Sequence, residues 1–236
     1  ETMLQQGTQV SDEQLHSRSA QVSVEDRMML AYTSGTTGHP KGVIHCHKPV
    51  RNTYERAMLL GHNRNDVHLS YLPLFHAYGF SEVAMMVALT GGSQVLFDVF
   101  EPDQVLDAVE EEGGTVLHGF DSHWADLIRE QQQRERDVTS LRVGTLPAGM
   151  ESTVPIARQV QDIFCPTTSG FGMSETWAFI ASSHVTNTLE QRTEASGYPM
   201  YGIEFEVRDL DQGHVLGENE QGALYVRGYT VTSGYW

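Results

Sequence analysis

Apolar and polar positions fall into short blocks whose period changes along the chain. Residues 28–32 are an apolar run that stops at a Gly/Thr-rich loop, and Val43 and Ile44 resume beyond it, so this part reads as strand, loop, strand. A helical stretch is expected near 50–60, then a strand over 67–71 that runs into Pro73. Residues 79–89 read as a buried helix closed by Gly91 and Gly92, and 94–99 as a strand. Pro102 opens a helix with Val105, Leu106 and Val109 on one face and acids on the other; Gly113 and Gly114 end it. Residues 115–118 form the next strand, and a second amphipathic helix carries Trp124, Leu127 and Ile128. A strand over 141–146 and a helix over 154–164, with Ala157, Val160 and Phe164 facing inward, complete the run.

Strand and helix thus alternate through 67–170. That is the pattern of an α/β fold, a mostly parallel sheet flanked by helices in a flavodoxin-like arrangement. After about residue 185 the style changes. Gly197-Tyr198-Pro199, residues 203–208, the turn Asp211-Gln212-Gly213 and residues 223–227 read as short antiparallel strands with turns. The expected organisation is a linker or edge segment over 1–27, an α/β subdomain over 28–190, and the start of a small antiparallel β subdomain over 191–236.

Composition narrows the class. The chain has 236 residues, 39% hydrophobic and 19% charged, enough for one sizeable core in an ordinary globular protein. The longest apolar run, around 83–89, is too short to span a bilayer, and no basic-then-apolar opening suggests a secretory signal. Cys46 and Cys165 cannot form a disulfide framework and fit a reducing, cytoplasmic setting. The eleven histidines are scattered, and no Cys/His group has zinc spacing. A formal charge of −16 argues against a nucleic-acid partner. Locally the sign reverses. Between Tyr32 and Tyr54 there is no Asp or Glu, while Lys41, Lys48, Arg51, His39, His45 and His47 fall there, which suits an anion site.

The chemistry concentrates in Tyr32-Thr33-Ser34-Gly35-Thr36-Thr37-Gly38-His39-Pro40-Lys41-Gly42-Val43. Its glycines let backbone amides converge on a small anion, its hydroxyls add donors, and Lys41 adds a full positive charge. Together these suit a triphosphate whose pyrophosphate will leave. A Walker-type loop needs Gly-Lys-Ser/Thr opening a helix; here Lys41 is followed by Gly42.

This stretch closely resembles the phosphate loop of the adenylate-forming (AMP-binding) superfamily, which includes acyl-CoA synthetases, luciferases and peptide-synthetase adenylation domains. Three more segments match in order. Leu72-Pro73-Leu74-Phe75-His76-Ala77-Tyr78-Gly79 resembles the family segment that sets a histidine beside the reacting carboxylate. By that match His76 would orient the carboxylate or sense adenylate formation, and Tyr78 and Phe80 would wall an acyl channel or pack in the core. Gly170-Phe171-Gly172-Met173-Ser174-Glu175-Thr176 resembles the aromatic-Gly-x-Ser/Thr-Glu motif. The resemblance places Phe171 near adenine, Ser174 on the α-phosphate and Glu175 on Mg²⁺, a hard ion suited by oxygen ligands. Phe171 stands where Tyr is frequent; it keeps the stacking face and loses the hydroxyl. Residues 141–150 match more weakly: Ala148-Gly149-Met150 occupies the adenine-lining turn without the usual proline. Gln221-Gly222-Ala223-Leu224-Tyr225-Val226-Arg227-Gly228, running on to Ser233-Gly234-Tyr235-Trp236, resembles an architectural strand pair and is assigned no chemistry.

The resemblance implies two half-reactions. A carboxylate attacks the α-phosphorus of Mg·ATP to give an acyl-adenylate and pyrophosphate; a thiol, usually that of CoA, then displaces AMP. Lys41, His76 and Glu175 would be the catalytic groups. Thr33, Ser34, Gly35, Thr36, Thr37, Gly38 and Lys41 would hold phosphate, while Ala148, Gly149, Met150, Gly170, Phe171, Gly172, Met173 and Ser174 would hold the rest of the nucleotide. The implied partners are ATP, CoA and a small carboxylic acid, most like a fatty acid. Amino-acid adenylation domains usually carry an Asp in the segment that here reads Phe75-His76-Ala77-Tyr78-Gly79, and none is present. A luciferase-like oxygenase shares these motifs, and a non-catalytic nucleotide-binding module would share the sheet. His118, Asp121, Ser122 and His123 are polar positions near the expected pocket. A Thr-Gly-Asp motif, a hinge and a small domain with a catalytic Lys are expected beyond Trp236, so the chain reads as a fragment with little or no turnover by itself.

Overall fold

The computed structural model describes residues 2–34 and 38–236. Two short helices open it, α1 (Met3–Gly7) and α2 (Asp12–Ser19), capped by the hydroxyls of Thr2 and Ser11; neither buries a residue. Strands β1 (Arg27–Thr33) and β2 (Lys41–Cys46) then pair antiparallel, with Thr33 opposite Lys41. Next come α3 (Val50–Leu59), β3 (Val67–Ser70), a π-helical segment (Gly79–Met85) that continues as α4 (Met86–Thr90), and β4 (Ser93–Leu96). They are followed by α5 (Pro102–Glu112), β5 (Val116–His118), α6 (Asp121–Gln133), β6 (Val143–Thr145), α7 (Val154–Ile163) and β7 (Thr167–Thr168). The strands β4-β3-β5-β6-β7 form one all-parallel sheet in that order.

Alternation along these strands divides the core into two layers. Leu69 and Leu117 face the side where Val105, Leu106 and Val109 of α5, Trp124, Leu127 and Ile128 of α6, and Ala157 and Val160 of α7 pack together. Val116 and Val143 face the other side, against Ala57 and Leu60 near the end of α3 and Met86 of α4. A side chain at Gly144 would run into the Leu117 carbonyl and crowd the Trp124 ring, so the glycine lets α6 approach the sheet. Gly91 and Gly113, with φ of 76° and 65°, end α4 and α5 in the left-handed conformation the sequence implied.

The α3/α4 layer is more polar than its pattern suggests. Arg56 and Glu82 form an ion pair at 2.8 Å with both side chains buried, and burial raises the Glu82 carboxyl above its ordinary value despite the guanidinium beside it. Three histidines separated in sequence, His62, His68 and His118, lie buried together on this side. Burial lowers His62 to about 3 and His68 to about 4, and holds His118 well below the ordinary range, so these rings are neutral at neutral pH.

Antiparallel structure begins earlier than the sequence suggested. β8 (Gly170–Gly172), β9 (Phe179–Ser182) and β10 (Tyr198–Pro199) form a three-stranded sheet, with α8 (Leu189–Thr193) between the last two. The pair β11 (Ile203–Arg208) and β12 (Ala223–Gly228) follows. β8 escapes a hydrophobic-pattern reading because two of its three residues are glycine, and β9 because all four of its residues are buried. Among the described residues no helix is long and apolar enough to cross a membrane.

Candidate functional site

The site assembles at the carboxyl ends of the parallel strands, where an open α/β sheet places its ligands. The segment after β3 carries His76, the one after β5 carries Phe120, the one after β6 carries residues 147–150, and the one after β7 carries residues 170–175. A cavity of about 620 Å³ is lined by Thr33, Ser34, Lys41, His76, Ala77, Phe120, Gly172, Met173, Ser174, Glu175 and Tyr235. A second cavity, about 330 Å³, shares His76, Phe120 and Gly172 with it and adds Tyr78, Pro147, Ala148, Met150, Gly170, Phe171, Ala178, Phe179 and Ser196.

Each stretch is held by local chemistry. The hairpin register sets Thr33 directly across from Lys41, so both ends of the loop face one pocket. Gly38, with φ of 88°, turns the chain back towards Lys41. Gly35, Thr36 and Thr37 lie outside the described residues. His76 sits at the cavity mouth in a tight turn: its amide donates to the Pro73 carbonyl at 3.0 Å, and its Nδ1 accepts from the Tyr78 amide at 3.1 Å, leaving Nε2 for the cavity. Desolvation lowers the pKa of His76. A side chain at Gly79 would overlap the Pro73 carbonyl, so the glycine closes this turn.

Ser174 and Glu175 are clipped from two sides. The buried His45 ring on β2 donates from Nε2 to the Ser174 carbonyl at 2.6 Å and stands edge-on to Trp177, their centroids 5.3 Å apart. Burial, opposed by the Ser174 carbonyl and the Glu175 charge, lowers the His45 pKa. Thr232 donates its amide to the Glu175 carbonyl at 2.8 Å and its hydroxyl to the Ile44 carbonyl at 2.7 Å. Trp177 ends the turn at a φ of 81°, uncommon for a non-glycine residue, and its indole N–H donates to Thr53 at 2.8 Å. Gly172 is required by packing, because a Cβ there would overlap the Ala178 backbone just before β9.

Tyr235 is the residue the sequence reading missed. Residues 234–236 lie along β2: the Ile44 amide donates to the Gly234 carbonyl at 3.1 Å, and the Trp236 amide to the Gly42 carbonyl at 2.7 Å. This pairing sets the Tyr235 ring 5.2 Å from Lys41 Nζ, while its hydroxyl donates to Glu175 Oε1 at 2.9 Å. The signal was present, since Gly234-Tyr235-Trp236 belongs to a matched segment, but Tyr235 pairs with Val43, at the other end of the chain. The basic stretch also divides. Lys48 pairs with Glu25 at 2.7 Å and Arg51 with Glu55 at 2.8 Å, both away from the cavity that Lys41 lines.

The other expected residues are placed as follows. Phe171 lines the second cavity opposite Ala148 and Met150, with its ring edge-on to Phe205. Gly149 takes a φ of 109°, and a Cβ there would meet Ser196 Oγ at 2.9 Å. Tyr78 lines the second cavity while its hydroxyl bonds Thr145; Phe80 instead packs edge-on to Trp177. His118, Asp121, Ser122 and His123 line neither cavity. A further, mostly apolar cavity of about 590 Å³ beside Tyr54, Met58 and Met200 contains none of the expected site residues.

The sequence profile of AMP-binding enzymes matches the chain over residues 1–236. The chain belongs to this family. The acyl-CoA ligase sidI of Aspergillus fumigatus is 28% identical over 244 residues, an alignment that takes in 100% of this chain and 40% of that protein. The mitochondrial medium-chain acyl-CoA ligase ACSF2 of Macaca fascicularis is 28% identical over 242 residues, covering 97% of this chain and 38% of its own length. The solved structure of O-succinylbenzoate coenzyme A synthetase from Bacillus subtilis, in complex with ATP and magnesium ion, has a TM-score of 0.78 at 27% identity and covers 91% of this chain and 44% of that one. The chain therefore spans about two fifths of the length of the curated relatives it matches.

Proposed function

We propose that this chain supplies the nucleotide site of an AMP-forming acid–thiol ligase, which activates a carboxylic acid, a fatty acid foremost, as its adenylate and passes the acyl group to CoA. The observation that carries the reading is the convergence of Thr33, Ser34 and Lys41 with residues 76–77 and 172–175 on one cavity. The donor set fits a magnesium-bound triphosphate: an ammonium from Lys41, hydroxyls from Thr33, Ser34 and Ser174, and a carboxylate from Glu175. The B. subtilis neighbour, described with ATP and magnesium ion, supports the same pair of ligands here.

In this reading Lys41 neutralises phosphate charge, and Glu175 would hold Mg²⁺, which would supply further positive charge for the leaving pyrophosphate. Ser174 Oγ donates to the α-phosphate. Phe171 and Ala148 flank the adenine in the second cavity. His76 stands where the two cavities meet and offers Nε2–H to the incoming carboxylate, holding it in line with the phosphorus. The Tyr235 hydroxyl fixes the Glu175 rotamer before nucleotide arrives. Free Cys46 and Cys165 support a reducing compartment, for which we take the cytoplasm. The relatives named as acyl-CoA ligases support the acyl and CoA assignments. Because the chain covers about 40% of its relatives, we expect it to bind nucleotide with little turnover by itself.

The substrate class is tested by calorimetry of Mg²⁺-dependent binding with non-hydrolysable fatty-acyl, aromatic-acyl and aminoacyl adenylate mimics. The fatty-acyl mimic is expected to bind about tenfold or more tighter than the aminoacyl one, a difference of roughly 1.4 kcal/mol. Preference for the aminoacyl mimic would sink the fatty-acid assignment.

A further inference from the structure

One group of buried polar atoms plays no part in the nucleotide site. His62 follows α3, His68 lies in β3 and His118 ends β5, and the three rings meet on the α3/α4 side of the parallel sheet. Their centroids are 4.8, 5.8 and 5.9 Å apart. One ring nitrogen from each lies within 4.8 Å of the other two. The residues are 4%, 0% and 1% exposed, yet His62 Nε2, both nitrogens of His68 and His118 Nε2 have no hydrogen-bond partner among the described residues. A buried nitrogen without a partner is costly, and three rings that share the defect in one place point to a shared partner.

The remaining nitrogens orient the rings. Arg142 Nη2 carries two protons, which go to the Gly61 carbonyl at 3.1 Å and to Asp66 Oδ2 at 2.5 Å. His62 Nδ1 lies 3.2 Å from Arg142 Nη2 and 3.6 Å from Asp66 Oδ2; with both Nη2 protons directed elsewhere, Nδ1 can hold its own proton towards the carboxylate, which leaves a lone pair on Nε2. His118 Nδ1 lies 2.9 Å from Thr145 Oγ1, and the tautomer that donates to this hydroxyl leaves its Nε2 lone pair in the same way. A carboxylate or hydroxyl behind the rear nitrogen, with the front nitrogen free, is how metal-bound imidazoles are held. The nearby charges are paired, Arg142 with Asp66 and Arg56 with Glu82, so no unpaired cation among the described residues opposes a metal ion.

We propose that His62, His68 and His118 bind one divalent transition-metal ion of the zinc class, as a structural staple between the α3 layer and strands β3 and β5. Three neutral imidazoles suit Zn²⁺ or Co²⁺ and not Mg²⁺, which takes oxygen ligands. With Zn–N bonds of about 2.0–2.1 Å, a tetrahedral ion sets its ligand nitrogens roughly 3.3 Å apart, so the rings close inward by about an ångström, and water completes the shell.

The test begins with protein stripped by a strong chelator and titrated with Zn²⁺, Co²⁺ or Mg²⁺. One equivalent of zinc per chain is expected, with a melting temperature raised by about 5–10 °C at a hundredfold excess over Kd and no response to Mg²⁺. The cobalt form should show the visible bands of tetrahedral Co²⁺. In His68→Leu the apolar side chain fits a fully buried strand position, so the metal-free melting temperature should match or exceed that of the parent while the zinc response disappears. X-ray absorption on the zinc-loaded parent protein needs no variant and should show three imidazole nitrogens at about 2.0–2.1 Å. A stripped protein that melts cooperatively and takes up no stoichiometric zinc would overturn the proposal. So would full uptake retained by His68→Leu, or a zinc shell without three imidazoles.

Discussion

Lys41, Glu175 and Tyr235 show how far single residues can be read from sequence. Lys41 and Glu175 stand in contiguous motifs whose residue types mark them as candidates, and the structure lines one cavity with both. Tyr235 and His45 were not legible, because each acts through a partner far away in the chain, Glu175 at 60 residues and Ser174 at 129 respectively. Two expectations follow for this turn and the ring that holds it. Gly172→Ala drives a methyl group into the Ala178 backbone, so it should cost about 1–3 kcal/mol in a urea melt and weaken adenylate-mimic binding together with stability. His45 is buried and its pKa is lowered, with Glu175 and the Ser174 carbonyl facing it and Trp177 edge-on. The folded protein therefore keeps this ring neutral where the unfolded chain protonates it. The unfolded state binds more protons below about pH 6.5, so stability falls as pH drops through that value. The denaturation midpoint should decline between about pH 7.5 and 5.5, with buried His62, His68 and His118 contributing alongside His45, and His45→Gln should remove one ring's share of the slope. An unchanged slope in His45→Gln would show that the decline arises elsewhere.

At the scale of elements, the helices were the most legible. The faces of α5, α6 and α7 are the ones their apolar spacing implied, and glycine ends both α4 and α5. Strand ends were less so: the strand expected over 94–99 stops at Leu96. The π-helical segment also escaped the pattern, since one residue more per hydrogen-bonded ring leaves no mark on hydrophobic spacing. That segment and α3 are joined by the Arg56–Glu82 pair, whose partners lie 26 residues apart and read as surface charges in isolation. Removing one partner leaves an uncompensated buried charge. Arg56→Met should cost about 3–5 kcal/mol, whereas Arg56→Met with Glu82→Met should recover most of it, and a double-mutant cycle from urea melts reads the difference. Equal losses in the single and double variants would show that the charge pair is not what the layer needs.

For the molecule as a whole, an α/β sheet with helices on both faces could be read from alternation alone, because each strand's inward residues had to be covered. Its central anchor is Trp124, fully buried between the sheet and Phe164, and Trp124→Ala should cost about 3–5 kcal/mol in a thermal or urea melt. The buried histidines could not be read: nothing in their spacing marks residues 62, 68 and 118 as neighbours until β3 and β5 pair side by side. The same sheet brings the nucleotide motifs together at its carboxyl edge, and that convergence is the central claim. Its most direct test is calorimetric titration of the chain, with Mg²⁺ present, against a non-hydrolysable acyl-adenylate mimic and AMP, alongside Lys41→Ala and Glu175→Ala. The account predicts that the mimic binds in preference to AMP. It also predicts that each substitution weakens mimic binding by about tenfold or more while the melting temperature stays near that of the parent. A chain that melts cooperatively yet binds the mimic no better than AMP, or variants that bind as the parent does, would contradict it.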